Sequence, residues 1–501
     1  MVSNRRRIKL LIAAHSGSRG GAEYCLDTLL EHLDRERFEV QVLFAWDGPM
    51  AHEARRRGYP VEIWPWAWWM GYEPSGWHVR NALLGSLGRA GRLVRRLRQE
   101  GIDVVYTNTA VLFEPALAAR WAGVAHVWHV HEILGPQSMR PHLLPWRWMV
   151  RWIGRWSERV IFESHTARQC CQGLIPQEKM RVVYNSVRWD PDSLGEGERN
   201  TSPPVGEPGS SQAKPGEGEK DSPLTQPAAQ ATLSHGGERE KDASALVGEP
   251  GGAKRSRVRG SKEDEGLLSS PPHPNPLPPG EREGSSPHPA SLNSWPPSPA
   301  VIRGEIDLWP GRPERPGRVC RFVWIGRLSQ RKDPLCFLQA AAQMHQSQRC
   351  QFLLAGEGPL ESQVRQTIGR LGLADRCQLL PFQEDIRPIL QEADVLVLTS
   401  QEESFGLVLV EAGAFGLPVI ATRTQGPTEI VLDGQTGLLV PVADPAALAT
   451  AMDRLAADPA QRRRMGQAGA ERVRQLFHPV QNTRQIEQIL LEAAEKKQRT
   501  L

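Results

Sequence analysis

The run Ser400-Gln401-Glu402-Glu403-Ser404-Phe405-Gly406-Leu407-Val408-Leu409-Val410-Glu411-Ala412-Gly413 leads into Leu417-Pro418-Val419-Ile420-Ala421, and the apolar Asp394-Val395-Leu396-Val397-Leu398-Thr399 precedes it. This order reads strand, polar turn, helix, Gly-Leu-Pro stop, strand, which is one βαβ unit. Between residues 405 and 421 Glu411 is the sole charged side chain, and helical spacing puts it on a stripe with Leu407, Val408 and Phe415. A carboxylate buried there without a partner costs several kcal/mol. Glu411 therefore needs either a cation from the fold or a cleft in which a ligand offers hydroxyl donors, and a ribose diol suits two carboxylate oxygens. Glu403 stands just before the helix beside Ser404, which reads as its N-cap. The N–H groups of Phe405 and Gly406 then lack intrahelical partners and favour anions and sugar oxygens.

The same alternation extends in both directions. Strand-like runs at Ile8 to Ser16, Phe38 to Trp46, Val61 to Trp66, Asp103 to Thr109, Ala125 to Glu132, Arg159 to Ser164 and Met180 to Val187 are separated by helical patterns. That pattern predicts an α/β chain with a mostly parallel sheet covered on both faces. The first strand runs into the Gly-rich Gly17-Ser18-Arg19-Gly20-Gly21-Ala22-Glu23, a strand-to-helix turn through which backbone can approach a phosphate or sugar. The fifth run ends His129-Val130-His131-Glu132, where polar side chains at the C-terminal end of a parallel strand point into the ligand crevice. From Val319 a further strand meets Gly326-Arg327-Leu328-Ser329-Gln330-Arg331-Lys332-Asp333-Pro334, an anion site built from a guanidinium, an ammonium and helix-end amides.

Residues 191–316 are different material. They lack apolar periodicity, Val-Gly-Glu-Pro-Gly recurs from Val205 and Val247, and Gly-Glu-Arg-Glu recurs from Gly237 and Gly280. Such a stretch buries too little apolar surface to offset its ordering entropy, so it reads as a disordered low-complexity insertion. The expected division is 1–190, the insertion 191–316, a second domain 317–480, and a last helix 481–501 returning to the first. Asp190-Pro191-Asp192 has the form of a metal-binding D-x-D but lies where order ends, which favours a plain loop.

Composition narrows the class. With 501 residues, 40% hydrophobic and 24% charged, the chain is an ordinary globular one, and a net charge of +4 gives no bulk argument for nucleic acid. Seven cysteines without a C-x-x-C pair read as reduced and cytosolic. No apolar run approaches the roughly 18 residues that a membrane span needs. Trp148, Trp152 and Trp156 recur every four residues beside Arg147, Arg151, Arg155 and Arg159, within 145–159. An indole face edged by guanidinium groups suits an anionic membrane surface, and packing of the indoles onto the domain is the competing reading. Thirteen of the 16 tryptophans precede residue 190, which makes the N-terminal half the expected membrane and acceptor side.

Glu403 and Glu411, eight positions apart in a strand-turn-helix setting, resemble the E-x7-E signature of the retaining glycosyltransferases of family 4, group 1. Four further stretches share the resemblance: Gly20-Gly21-x-Glu23, the Gly326-Arg327-Leu328-x4-Lys332-like basic loop (in this chain with three residues between Leu328 and Lys332), Gly356-Glu357-Gly358-Pro359, and Gly426-Pro427-Thr428-Glu429 with Asp433-Gly434. The resemblance covers nearly all of 8–190 and 317–495. It implies a GT-B fold, two doubly wound Rossmann-like domains facing a cleft that binds a nucleotide diphosphate sugar. It also implies roles: Gly20, Gly21, Gly326, Phe405 and Gly406 border the donor, Arg327 and Lys332 contact the diphosphate, Glu403 holds the transferred sugar, and Glu411 holds the ribose. His131 falls where that family contacts the sugar, with His129 on the same strand face as the fallback. Family members carry Gly where this chain has Pro381, which supplies no N–H, so the nucleobase stays open. The implied activity is metal-independent, cofactor-free transfer to a carbohydrate or lipid-linked acceptor in cell-surface polysaccharide or glycolipid synthesis, in the cytoplasm or on the inner face of its membrane. Two rivals remain: a fold-sharing nucleotide-sugar epimerase, which lacks this set of Arg327, Lys332, Glu403 and Glu411, and an inactive binding scaffold, which the insertion keeps open.

Overall fold

A computed structural model describes residues 6–71, 76–135, 140–141, 145–188 and 319–499. The chain divides into one unit of residues 1–202 with 305–501 and a second of 203–304. Everything below belongs to the first; the stretch 191–316, and with it Asp190 and Asp192, lies outside the described residues.

Seven of the strands form one parallel sheet: β1 (Ile8–Ala14), β2 (Phe38–Phe44), β3 (Val61–Ile63), β5 (Val104–Thr107), β6 (Ala125–Val130), β8 (Arg159–Phe162) and β9 (Met180–Val182), in the order β3-β2-β1-β5-β6-β8-β9. Between them β4 (Met70–Gly71) and β7 (Arg140–Pro141) make a small antiparallel ribbon. A second parallel sheet holds β10 (Cys320–Ile325), β11 (Cys350–Ala355), β12 (Cys377–Leu380), β13 (Val395–Leu398), β14 (Val419–Thr422) and β15 (Gly437–Val440), in the order β12-β11-β10-β13-β14-β15. All seven N-terminal runs read as strands are strands of one sheet, so the two-Rossmann architecture is as expected.

Parallel strands covered on both faces must be apolar throughout, and β13 is: Val395, Leu396, Val397 and Leu398 are all buried. β6 meets the same demand with polar residues by pairing them internally. His126 bonds the Thr107 hydroxyl at 2.8 Å and Ser157 at 3.1 Å, and His129 bonds the Tyr106 hydroxyl. Burial lowers His126 to about 3 and holds His129 far below the ordinary histidine range, so both stay neutral. His129 is therefore a residue of the sheet interior, with its ring centroid 4.1 Å from that of His131 and tilted 35° to it.

The last helix, Pro479–Gln498, lies on the first sheet, where Ile486, Ile489, Leu490 and Ala493 share a core with Leu10, Ile12, Leu29 and Tyr106. Its Asn482 amide donates to Tyr184 O at 3.0 Å, and Val187 N donates to Phe477 O at 3.1 Å. These bonds pin the segment after β9 just before residue 189.

Two sequence expectations need correction. The Trp148-Trp152-Trp156 stripe is not one exposed face. In the Trp146–Trp156 helix, Trp152 and Trp156 stack 5.0 Å apart and each lies 6.4 Å from Trp69 of the core, because one side of this helix packs onto that core with Met149, Val150 and Ile153. Trp148 is 56% exposed, and Arg147, Arg151 and Arg155 are exposed beside it. Ser404, in turn, is not the N-cap. The helix Leu407–Ala414 starts after Gly406, whose φ of 100° ends the turn in the left-handed region, and no side chain caps it. Among the described residues no helix is long and apolar enough to cross a membrane.

Candidate functional site

In both sheets the strand order reverses beside the first strand, β1 between β2 and β5 and β10 between β11 and β13, and it is at the C-terminal strand ends beside such a reversal that open parallel sheets bind ligands. The loops that emerge there carry the residues singled out in the sequence. They are Gly20 and Gly21 after β1, His131 after β6, Gly326 to Lys332 after β10, and Glu403 to Gly406 after β13. The two halves touch at this point: a methyl placed on Gly21 would lie 3.8 Å from Leu407.

Glu403 is the centre of the C-terminal side. Its Oε2 accepts from Lys332 Nζ and, at 2.9 Å, from the Ser400 hydroxyl, and its backbone oxygen accepts from Gly426 N at 2.9 Å. The Lys332 loop is tied to the same turn. The Thr399 hydroxyl donates to the carbonyls of Lys332 at 3.0 Å and Asp333 at 2.7 Å, Trp324 Nε1 donates to that hydroxyl at 2.9 Å, and Gln401 N donates to Arg331 O at 2.8 Å. Asp333 caps the Pro334–Gln343 helix at Cys336 N, 3.1 Å. Arg327 is exposed; its backbone oxygen accepts from Ser329 N at 2.8 Å, and its side chain has neither a hydrogen bond nor an ion pair among the described residues. A Cβ on Gly356 (φ 149°) would sit 1.9 Å from Gly326 O, so the turn after β11 packs against the Gly-Arg-Leu turn only as glycine.

Glu411 is buried and meets a cation. Arg188, from the segment after β9, donates through Nε to Glu411 Oε1 and lies over the Tyr24 ring at 4.4 Å. Burial raises Glu411 above the usual carboxylate range and Arg188 draws it back.

On the N-terminal side, His131 Nε2 lies 3.0 Å from Asn108 Oδ1. The Asn108 amide is already committed to Ala22 O at 2.8 Å, so Nε2 is the donor. Burial lowers His131 to about 4. Its Nδ1 faces the Glu163 carboxyl at 3.7 Å, and Glu163 accepts from the Asn185 amide and abuts the Ser404 hydroxyl of the opposite half. Burial pushes Glu163 up to about 8, and likewise Glu23, which lies 3.2 Å from His15. Two more links cross between the halves. Arg19 pairs with Glu384 and lies 5.5 Å over Phe382, and Glu429 accepts from His165 N at 2.8 Å and from Thr166 N.

The contacts join several of these residues: Lys332 meets Glu403, Ser404 beside it meets Glu163 and through it His131, Gly21 lies near Leu407, and Glu411 meets Arg188, while Arg327 is exposed on the Gly326–Lys332 loop. Sequence reasoning missed Arg188, Glu163, Asn108 and the Arg19–Glu384 pair. Arg188 was hidden because it directly precedes the insertion, and the others because they work through contacts made by folding. Pro381 and Phe382 lie exposed at the cleft rim, where Phe382 N donates to Glu357 at 3.2 Å. Among the described residues no group of three or more His, Cys, Asp or Glu is placed to hold a metal ion.

Comparison with known proteins agrees with this geometry. The profile described as Glycosyltransferase Family 4 matches residues 19–190, and that described as Glycosyl transferases group 1 matches residues 308–472. The alpha-D-kanosaminyltransferase of Streptomyces kanamyceticus is 32% identical over 151 residues, 30% of this chain and 39% of that protein. The lipopolysaccharide core biosynthesis glycosyltransferase LpsE of Rhizobium meliloti is 32% identical over 172 residues, 34% of this chain and 48% of that protein. The alignments thus span less than half the length of these relatives. Among solved structures, Anabaena HepE in complex with UDP superposes with a TM-score of 0.62 at 19% identity, over 97% of this chain and 100% of that one. Sucrose-phosphate synthase of Thermosynechococcus elongatus gives 0.57 at 17%, over 97% and 99%, and these likenesses show the fold. Two profiles, one per half, and a shared two-sheet architecture lead to one assignment: the chain belongs to the family 4, group 1 glycosyltransferases and has their GT-B fold.

Proposed function

We propose that the chain transfers a sugar from a nucleotide diphosphate sugar to an acceptor hydroxyl, with retention and without a metal. The observation that carries this reading is the Glu403–Lys332 pair, on a turn whose backbone enters the Leu407–Ala414 helix, with the exposed Arg327 on the same loop as Lys332. Two cations beside helix-entry amides offer stabilisation to the charge that grows on a leaving diphosphate, a role in which one lost donor costs about 10²–10³ in rate. Glu403, held by Lys332 and Ser400, presents its carboxylate to hydroxyls of the transferred sugar. Glu411 takes the ribose, and His131, neutral and fixed by Asn108, orients the sugar. A glycosidase would need two carboxyl groups flanking the scissile bond with one acting as acid. Here Glu403 and Glu411 are each paired with a cation, which suits binding rather than proton donation.

The HepE structures with UDP and UDP-glucose favour a uridine diphosphate sugar as donor. The lipopolysaccharide core relatives favour a cell-surface polysaccharide or glycolipid acceptor at the inner face of the cytoplasmic membrane. The test is nucleotide release from a panel of nucleotide sugars, with and without lipid-linked acceptors and EDTA, followed by NMR assignment of the product anomer. Release that proceeds with EDTA and gives the donor's anomeric configuration is expected. Strict dependence on added Mn²⁺ or Mg²⁺, or an inverted product, overturns the reading.

A further inference from the structure

Each of the two spaced glutamates has a cation of its own, but the cations differ in origin. Lys332 comes from the same half as Glu403, on a loop bound to the same turn. Arg188 comes from the other half, at the end of a segment that Asn482 and Phe477 pin from the last two helices, and it crosses to Glu411 while resting on Tyr24 of the first helix. A guanidinium brought this far to one buried carboxylate keeps that carboxylate charged in a site that otherwise disfavours charge.

We infer that Arg188 is a positioning residue of the nucleotide site: through its ion pair with Glu411 it holds this carboxylate ionised and oriented for the ribose hydroxyls, so that nucleotide binding draws on both halves of the protein. This rests on the reading of Glu411 as the ribose group. A ribose hydroxyl donates to a carboxylate, and a protonated Glu411 would offer less acceptor capacity and a competing donor. The groups in electrostatic reach of this carboxylate are Arg188 itself and Tyr24 and Cys25 of the first helix, and Asp385 lies within reach of the guanidinium. Burial raises Glu411 and Arg188 opposes it, so losing the guanidinium moves the titration of Glu411 further upward. Tyr24 and Cys25 are themselves raised by burial and remain neutral over the range in question.

The test is calorimetric titration of the full chain with UDP and GDP, and with their 2′,3′-dideoxy counterparts, from about pH 5.5 to about pH 9. Affinity for a ligand that needs the carboxylate falls about tenfold per pH unit below its titration point. Arg188→Gln should therefore lose about tenfold or more in affinity near the acid end and return to within about threefold of the parent near the alkaline end. Arg188→Lys should keep the parent profile, and the double variant Arg188→Gln with Glu411→Gln should show no acid limb. A profile of Arg188→Gln that runs parallel to the parent, or one that Lys does not restore, overturns the inference. Failure of the ribose reading looks different: Glu411→Gln would then leave the ratio of ribo- to dideoxynucleotide affinity unchanged. A ratio that collapses in Glu411→Gln beside an unmoved Arg188→Gln profile removes the role of Arg188 alone.

Discussion

At the scale of single residues, the crevice is set by charges whose partners are few and specific. Lys332 and Arg327 act on the same leaving group in the proposed reaction, yet they differ in their packing. Lys332→Ala leaves Glu403 without its cation in a half-buried turn, whereas Arg327→Ala removes an exposed group that holds nothing in place. Both should lower turnover by about 10²–10³, with the melting temperature of Arg327→Ala unchanged and that of Lys332→Ala slightly reduced. Steady-state kinetics beside thermal scans checks this. Glu163 gives a pH prediction. Its folded value near 8 lies above that of an exposed carboxyl, so between the two the folded state binds the extra proton. Stability is then present at low pH and is lost as pH rises through about 8. Glu163→Gln, an amide that mimics the neutral acid, should flatten this decline in the melting temperature between the ordinary carboxyl range and about pH 8. A decline identical to that of the parent would show that Glu163 is charged in the folded protein.

Elements place these residues, and the elements were legible because their physics is local. β13 is apolar on both faces, Gly416-Leu417-Pro418 ends the following helix, and β14 resumes the pattern, so the βαβ unit could be read from hydrophobicity and breakers alone. What side chains do across elements was not legible. Ser404 looks like a cap, but Gly406 adopts the left-handed conformation that a cap would otherwise have to enforce, and the Ser404 hydroxyl turns instead to Glu163 on the other half. The tryptophan periodicity allows a membrane-facing stripe or packing onto the domain, and Trp152 and Trp156 pack while Trp148 is exposed. Which of them pack depends on Trp69, more than eighty residues away in sequence. Gly406 permits a prediction at this scale: a Cβ there would lie 3.2 Å from Leu409 Cδ1 at a φ that side chains rarely adopt. Gly406→Ala should cost about 1–3 kcal/mol of stability and weaken donor binding together, measurable by denaturant unfolding and calorimetry. Loss of neither would mean that the turn adjusts freely.

Among the described residues the two parallel sheets belong to halves joined by contacts that include Arg19 with Glu384, Arg188 with Glu411, and Glu429 with the first amides of the His165–Cys170 helix. The Arg188–Glu411 pair joins the halves at a residue of the proposed site, which couples their docking to the state of that site. The outer surface of the N-terminal half has a separate character. Arg147, Arg151 and Arg155 are exposed along one helix with Trp148, while Arg92, Arg95, Arg98 and Arg120 are exposed on two neighbouring helices, and Trp121 is 45% exposed among them. With Trp152 and Trp156 packed inward, apolar insertion falls to Trp148 and Trp121, and attraction to an anionic surface must come mainly from the arginines. At about 1 kcal/mol for each arginine near such a surface, three on one helix suffice for binding that salt can reverse. The full chain should therefore co-sediment with vesicles containing phosphatidylglycerol, ignore neutral vesicles, and release as salt rises toward about 0.5 M, where screening acts within a few ångströms. Arg147, Arg151 and Arg155 together replaced by glutamate should abolish co-sedimentation with the melting temperature intact, because none of the three supports the core. Trp148→Ala should weaken binding only modestly, whereas Trp152→Ala should destabilise the fold, since its ring lies against Trp69 and Trp156. Equal binding to neutral vesicles would shift the weight to the indoles, and no binding to either would leave the basic face without a membrane role.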